Sequence, residues 1–335
     1  MIFMGTNLSN NVSPVFIAGC GRSGTTFLRF VLNCKNEVFI PNECGFLIDY
    51  LKFGRYVPEA LLRKLLFNEP QLRLWYKNDP IKIYNIGHTV RKIHECRALQ
   101  SGCKTWGQKT PKFVRYIQLF EKHVGGSIKW VLIYRDPRAV VSSMLKSERH
   151  TYSISRAVKR WRQDNKILID LMRSSNKQNM LFVKYEDLIE NYEKQADKIF
   201  TFTALDKVNV HDLEKTGHPD AYLDGSKLKN ITVDKTFIPN SESINKWKKT
   251  LNHHQIMYIE KKCTEEMRFF KYSKCYKDSK ITASVRIQDL IGYLKIIKII
   301  GVFLKNWPFL PFYMGIRKTI LYFFYYAKKV FTYFL

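Results

Sequence analysis

The chain has 335 residues, of which 45% are hydrophobic and 14% aromatic, enough apolar material for one large domain or two small ones. Its formal net charge of +27 favours an anionic partner such as nucleic acid, a polyanionic cosubstrate, an acidic glycan or an anionic membrane.

The opening MIFMGTNLSNN has no basic or long apolar region, which argues against a secretory signal. The seven cysteines lack paired C-x-x-C spacing, which favours reduced thiols in a cytoplasmic protein. His94, Cys96 and Cys103 lack a fourth ligand at the usual spacing, so no metal is expected.

The first recognisable unit is VFIAGCGRSGTTFLRF, residues 15–30. A short apolar run, a glycine-rich turn and an apolar helical pattern predict a buried strand, a loop and the start of a helix. This layout binds phosphate, because the N–H groups at the start of a helix point at the anion. Residues 45–105 show helical patterns such as PEALLRKLLF but no repeat.

Two further strands are expected downstream. IKWVLIYRDP is a short apolar run that ends abruptly at Asp-Pro, and AVVSSMLKS then begins a helix. Apolar spacing through Val158, Trp161, Ile167, Leu168 and Leu171 predicts a long helix from about 152 to 174. NMLFVKYEDL predicts the next strand. Strands that alternate with helices indicate an α/β fold with a parallel sheet.

The composition changes near residue 280, which predicts a domain over 1–280 and a helical tail over 281–335. No acidic residue occurs from Ile291 to Leu335, and the segment is rich in lysine and aromatic residues. Lys295, Lys298 and Lys305 share one side of an otherwise apolar helix, the pattern of a helix that lies on an anionic membrane surface. The alternatives are a subdomain packed on the core or a homodimer contact. No uncharged run reaches the ~18 residues of a spanning helix.

The glycine-rich loop alone fits more than one nucleotide site. Gly19, Gly21 and Gly24 satisfy the dinucleotide pattern G-x-G-x-x-G, for which Glu43 would be the only nearby acid on a ribose. The loop also nearly satisfies the P-loop pattern, but Thr25 stands where the lysine of a Mg-ATP site belongs. The second unit is more specific, because Arg135 at a strand end and Ser143 two helical turns into a helix can grip a separate phosphate.

These segments resemble the sulfotransferases that use 3′-phosphoadenosine 5′-phosphosulfate (PAPS), in the branch of tyrosylprotein and bacterial carbohydrate sulfotransferases. GRSGTT is similar to the family's 5′-phosphosulfate loop and YRDPRAVVSS to its 3′-phosphate site. WGQKTP resembles a lysine-bearing segment, VKYEDLIENYEKQADKIFTF a downstream strand and helix, and FIPNSESINKWKKTL the segment that closes over the cofactor. The resemblance covers residues 14–275 and implies a P-loop-kinase-like fold with a central parallel sheet between helices.

The resemblance also implies a role for particular residues. Glu43 stands 21 positions after Arg22, as does the catalytic base of the tyrosylprotein branch, and His88 or His94 is the reserve base. Arg22 and Lys109 would neutralise charge on the transferred group. The implied cofactor-binding residues are Arg22, Ser23, Gly24, Thr25, Thr26, Arg135, Ser143, Lys246 and Trp247, with Ser241 as a further residue of the closing segment. Trp161 and Trp247 are also expected in the core.

The expected activity is therefore sulfuryl transfer from PAPS, without a metal, to an acceptor hydroxyl or amine. A glycan or glycolipid at the cytoplasmic face of a membrane is the expected acceptor. The alternative is a P-loop-like kinase or NTPase that uses Mg-ATP. Nucleic acid is not expected, because the basic residues are spread along the chain and no known nucleic-acid module is present.

Overall fold

The computed structural model describes residues 12–53, 59–67, 69, 72, 85–125, 127–147, 153–215 and 239–276. The predicted tail over 281–335 and the predicted membrane or dimer contact lie outside these residues. No helix within the described ranges is long and apolar enough to cross a membrane.

Within these described ranges, five strands form one sheet in the order β2-β3-β1-β4-β5, and every neighbouring pair is parallel. The strands are β1 Val15–Gly19, β2 Val38–Phe39, β3 Thr105–Lys109, β4 Lys129–Tyr134 and β5 Met180–Lys184. The predicted α/β fold with a central parallel sheet is confirmed. Because all strands run the same way, their carboxyl ends meet at one edge, which is where such sheets bind ligands.

The helices in the described part of the chain connect these strands or follow the last one. They are α1 Thr25–Asn33, α2 Leu47–Phe53, α3 Glu59–Phe67, α4 Ile86–Gln100, α5 Ile117–Val124, α6 Pro137–Leu145, α7 Ile154–Arg173, α8 Tyr185–Glu190, α9 Tyr192–Thr203, α10 Val210–Lys215, α11 Glu242–Asn245, α12 His253–Lys262 and α13 Thr264–Phe269. Short 3₁₀ helices occur at Pro111–Tyr116 and Lys246–Lys249.

Helices cover both faces of the sheet, which explains why β1 and β4 carry apolar runs without alternation. In β1, Phe16 belongs to one core and Val15 and Ile17 belong to the other. The Phe16 ring packs edge-on against Trp130 at a centroid distance of 5.1 Å. Trp161 is fully buried on the same side, as predicted.

The segments predicted from apolar patterns agree with the structure. The long helix predicted from about 152 to 174 is observed at Ile154–Arg173, where the Ser153 side chain caps its first turn. The strand β3 was not foreseen, because its sequence TWGQK contains no apolar run, although all five of its residues are buried. Gly107 lets this strand lie close to β1, since a Cβ there would be 2.1 Å from the Val15 carbonyl oxygen.

Candidate active site

The glycine-rich loop leaves the central strand β1 and turns sharply into α1. Gly19 and Gly24 have positive φ angles of 150° and 101°, which side chains rarely adopt. A Cβ on Gly19 would be 2.2 Å from the Ile133 carbonyl oxygen, and one on Gly24 would be 2.4 Å from Cδ2 of Tyr185. These two positions therefore require glycine for both conformation and space.

The turn presents polar groups at the start of α1. The Ser23 amide donates to the Cys20 carbonyl at 3.2 Å, which closes the turn. The Ser23 side chain is fully buried, and its Oγ has no hydrogen-bond partner within the described structure. Thr25 is buried and Thr26 is exposed at the first turn of α1. A buried hydroxyl without a partner beside a helix start is a group that an anion can satisfy.

Arg135 follows the end of β4 and connects three parts of the site. Its Nη2 donates to the Ser243 carbonyl at 2.6 Å and its Nη1 to the Arg22 carbonyl at 3.3 Å. Its guanidinium lies 3.9 Å above the Tyr185 ring, a cation–π contact. The Arg135 Nε is buried and finds no partner among the described residues. The predicted Arg135 is thus fixed at the sheet edge with one donor left over.

Ser143 lies on α6, and the structure brings it to the glycine-rich loop. The Arg22 Nε donates to the Ser143 Oγ at 2.9 Å. Arg22 itself has a left-handed backbone with φ of 72°, which is uncommon for a residue other than glycine. The two segments predicted to bind two different phosphates therefore touch each other through these side chains.

A cavity of about 350 Å³ opens beside this contact. Its lining includes Arg22, Arg135, Ser143, Lys146, Lys246 and Trp247. Of the described residues that line it, four are basic and none is acidic, so the cavity favours a multiply charged anion. The predicted residues of the closing segment, Lys246 and Trp247, thus lie at the same cavity. Ser241 directly precedes α11 in that segment.

Lys109, the last residue of β3, forms an ion pair with Glu43, which lies beyond the end of the neighbouring strand β2. The Lys109 Nζ lies 2.7 Å from the Glu43 Oε1. The Lys109 side chain is 5% exposed and that of Glu43 is 53% exposed, so the carboxylate faces the solvent side of the pair. Lys109 is paired with Ile17 in the register of β1, two residues before the glycine-rich loop begins at Gly19.

Sequence reasoning missed two residues that hold the closing segment. The Tyr185 hydroxyl is 2.8 Å from the Ser243 Oγ, and its ring lies between Gly24 and Arg135. Tyr185 lies within the segment NMLFVKYEDL that was predicted as a strand, and it directly follows the observed strand β5, so its position at the sheet edge could have indicated a functional residue. Ser243 has no such signal, because its place depends on how residues 239–250 fold back onto the sheet.

The two reserve histidines lie in different surroundings. His94 is fully buried, with its Nδ1 2.7 Å from the Val90 carbonyl and its Nε2 in contact with the Gln108 Nε2. Burial lowers the pKa of its imidazole to about 4, because the charged form would lose its hydration. A histidine inside the core has no access to an acceptor. His88 is exposed on α4.

Nowhere in the described ranges do three His, Cys, Asp or Glu side chains converge as metal ligands do.

Comparisons with known proteins agree with this geometry. A family model described as the sulfotransferase family matches residues 14–209. Protein-tyrosine sulfotransferase A of Caenorhabditis elegans is 26% identical over 228 residues, which are 61% of this chain and 54% of that protein. The match thus spans about half the length of this curated relative.

Two solved structures share the fold. The sulfotransferase domain of the Synechococcus PCC 7002 olefin synthase superposes with a TM-score of 0.54 at 18% identity, over 80% of this chain and 99% of that one. The sulfotransferase domain of the curacin biosynthetic pathway gives a TM-score of 0.52 at 16% identity, over 79% of this chain and 99% of that one.

Proposed function

The chain belongs to the sulfotransferase family, and we propose that it transfers the sulfuryl group of PAPS to an acceptor hydroxyl. The observation that carries this proposal is the Arg22–Ser143 contact beside the basic cavity. The contact brings the glycine-rich loop next to Ser143, a residue expected to bind a second phosphate. This supports a nucleotide with phosphate groups at both its 5′ and 3′ positions. A nucleoside triphosphate needs no such second site, and the loop has Thr25 where a kinase has lysine.

The residues at the sheet edge fit such a donor. PAPS carries roughly four negative charges, counting the 3′-phosphate as nearly two. The buried Ser23 Oγ and Arg135 Nε are donors without partners in the described structure, and both lie in the segments that would meet its two ends. A Cβ at Gly24 would strike the Tyr185 ring, so the loop can pass this close to Tyr185 only with glycine at that position. Ser23, Gly24, Thr25 and Thr26 would hold the 5′ group, and Arg135, Ser143, Lys246 and Trp247 the 3′ half.

Glu43 and Lys109, which form an ion pair, would act on the acceptor and on the leaving group during sulfuryl transfer. The donor brings an activated sulfuryl group whose S–O bond to the 5′-phosphate breaks as the acceptor oxygen bonds to sulfur. Glu43 would take the acceptor's proton, since its carboxylate is the exposed member of the pair. Lys109, which is held by burial and by Glu43, would neutralise charge that develops on the leaving phosphate. The exposed carboxylate and the buried cation thus divide the two tasks.

Two classes of acceptor follow from different observations. The basic aromatic sequence of 281–335 favours a glycan or glycolipid at an anionic membrane surface. The curated relative is a protein-tyrosine sulfotransferase, which favours a tyrosyl hydroxyl. A screen with radiolabelled PAPS against glycolipid vesicles and tyrosyl peptides distinguishes the two, because label appears in only one of the separated acceptor fractions.

Replacement of the proposed base tests the mechanism directly. Glu43→Gln keeps the size and the hydrogen-bonding shape of the side chain but cannot accept the proton, so we expect kcat to fall about 10²–10⁴-fold. Binding of adenosine 3′,5′-bisphosphate should be retained, because the product nucleotide does not use this carboxylate. The measurements are initial rates with the acceptor from the screen and calorimetric titration with the bisphosphate.

Glu121→Gln is the matched control, because Glu121 is an exposed residue of α5 and its carboxylate is remote from the carboxyl-end edge of the sheet. It should leave the rate unchanged. A Glu43→Gln protein that binds the bisphosphate and keeps the full rate would remove Glu43 from the mechanism.

A further inference from the structure

The segment that carries Glu43 leaves the sheet before it reaches this residue. β2 pairs with β3 over Val38 and Phe39 and ends there. Glu43 follows four positions after Phe39 and is exposed. Because the strand ladder stops short of Glu43, contacts outside the sheet set the position of its backbone relative to the glycine-rich loop.

One face of α1 supplies such contacts. The Asn33 Nδ2 donates to the Ile40 carbonyl oxygen at 2.9 Å, and the Asn33 Oδ1 accepts from the Ile40 amide at 3.1 Å. The Arg29 Nη1 donates to the Oδ1 of Asn42 at 2.6 Å, one residue before Glu43. The helix α1 thus holds the segment between β2 and Glu43 at two points.

The same face of α1 begins at the glycine-rich loop. Thr25, Arg29 and Asn33 are spaced by four residues, so they lie in one row along the helix, and each is 3% to 4% exposed. Thr25 is the first residue of α1 and is proposed to hold the 5′ group. A rise of about 1.5 Å per residue puts Arg29 about 6 Å further along the axis. One helix face therefore connects the proposed donor site to the segment of the proposed base.

Arg29 is a charged side chain at a buried position where packing alone would favour an apolar one. A buried charge loses its hydration and is tolerated only with hydrogen-bond partners. Its bond to Asn42 is charge-assisted, and such bonds are stronger than those between neutral groups. The buried Cys44 thiol also donates to the Asn42 carbonyl oxygen at 3.3 Å, so Asn42 is held through its side chain and its backbone.

We infer that Arg29 and Asn42 are positioning residues for the base, because they hold the Glu43 backbone at a fixed place relative to the glycine-rich loop. The inference rests on the proposed role of Glu43 and adds to it. Lys109 pairs with the Glu43 carboxylate itself, so β3 fixes the head of the base and α1 fixes its backbone. A displacement of about 1 Å at a reacting group can lower a rate about 10²-fold.

Asn42→Ala in the full chain tests this inference, because it removes the acceptor of Arg29 and leaves Glu43 in place. We expect kcat to fall about 10- to 100-fold. Binding of adenosine 3′,5′-bisphosphate should change less than about twofold, since the described lining of the cavity includes neither Asn42 nor Arg29. The measurements are initial rates of transfer from radiolabelled PAPS to the tyrosyl peptide or glycolipid vesicle that accepts label, and calorimetric titration with the bisphosphate.

A double-variant cycle shows whether the loss acts through the base. In a Glu43→Gln background, Asn42→Ala should lower the remaining rate by less than about threefold, because residues that act as one unit are not additive. A merely structural role of Asn42 would lower the rate by the same factor in both backgrounds.

Two variants examine the hydrogen bond itself. Asn42→Asp keeps an oxygen for the Arg29 Nη1, so kcat should stay within about threefold of wild type at about pH 8, where carboxylates are ionised. Arg29→Met removes the donor and keeps an apolar stem, and it should lower kcat by about the same factor as Asn42→Ala. If this buried change prevents folding, Asn42→Ala and the double-variant cycle decide.

Asn176→Ala is the matched control. Asn176 is exposed and precedes β5, so it lies at the amino-end edge of the sheet, opposite the site. This change should leave both kcat and the affinity for the bisphosphate unchanged.

The outcomes separate the inference from the proposed function. If Glu43→Gln loses its rate but folded Asn42→Ala keeps the wild-type kcat, the inference alone is overturned. An equal loss from Asn42→Ala in both backgrounds would likewise overturn it, since Asn42 would not act through Glu43. A Glu43→Gln protein with the full rate, or a wild-type protein that labels neither acceptor, would overturn the proposed function and the inference with it.

Discussion

Gly24 shows how a single residue determines the shape of the loop. Its φ of 101° and ψ of 10° place it in left-handed space, and a Cβ there would overlap the Tyr185 ring at 2.4 Å. We expect Gly24→Ala to lose more than the ~1–2 kcal/mol of unfolding free energy that a left-handed backbone costs an L-residue. It should also lose binding of adenosine 3′,5′-bisphosphate, because displacement of Tyr185 disturbs Arg135. Urea unfolding and calorimetric titration measure the two effects.

Gly102 provides the matched control for this substitution. It also has a positive φ, of 70°, but nothing lies within 4 Å of the position of its Cβ. Gly102→Ala should therefore show the backbone cost alone and retain nucleotide binding. Equal stability losses at the two glycines, with binding kept in both, would contradict the role assigned to Gly24.

At the residue scale the sequence identified most of the groups now found at the sheet edge. Arg22 was predicted from the motif of the first strand–loop–helix unit, and Arg135 and Ser143 from the spacing within the second. The Arg22–Ser143 hydrogen bond could not be predicted, because it joins residues that are 121 positions apart. The contacts of Ser243 could not be predicted for the same reason, because they form only when a segment distant in sequence folds back onto the sheet.

At the scale of elements, a buried ionic group joins the turn after β4 to the closing segment and to α12. The Arg138 guanidinium lies 2.6 Å from Asp136 and 2.7 Å from Glu260, and it covers the Trp247 ring at 4.3 Å. All three charged side chains are less than 10% exposed. Because Arg138 packs on the Trp247 ring and Trp247 lines the cavity, this ionic group helps to hold one wall of the cavity in place.

Arg138→Met should be among the most destabilising changes in the described part of the chain. It keeps the apolar stem but leaves two buried carboxylates without their cation, and breaking such a pair costs about 3–5 kcal/mol. Arg268→Met on α13 removes an exposed arginine and should stay within about 0.5 kcal/mol of the wild type. Urea unfolding at neutral pH measures both, and a loss below about 1 kcal/mol for Arg138→Met would contradict this account.

Elements with a long apolar pattern were predictable and those without one were not. The strands β1, β4 and β5 and the helix α7 follow apolar patterns, whereas β3 carries Gln108 and Lys109 inside the sheet. The buried Gln108 side chain meets His94, and Lys109 meets Glu43, so tertiary partners compensate for polar residues in a central strand. A sequence pattern cannot show such partners before the elements are placed.

For the whole molecule, the buried His94 predicts a dependence of stability on pH. Its folded pKa of about 4 lies below the ordinary value of 6.5, so the folded state binds a proton less readily than the unfolded state. The contribution of neutral His94 to the free energy of unfolding is present above pH 6.5 and is lost as the pH falls toward 4. At pH 5 the loss is on the order of 2 kcal/mol relative to neutral pH.

His94→Gln removes this titration while it keeps a polar side chain that can meet Gln108. The difference in unfolding free energy between wild type and variant should therefore shrink as the pH is lowered from 7 to 5. Urea unfolding at both pH values gives that difference. A difference that does not change with pH would show that His94 is not protonated on unfolding.

The glycine-rich loop and the Arg135 site are proposed to bind, together, a nucleotide with a 3′-phosphate. The most direct measurement is the thermal unfolding of the full chain with adenosine 3′,5′-bisphosphate, compared with ADP, Mg-ATP and NAD. A ligand at 100 times its Kd adds about 2.7 kcal/mol to the unfolding free energy. We predict stabilisation of this size with the bisphosphate and much less with the other three. Selective stabilisation by Mg-ATP would contradict the account and favour a kinase.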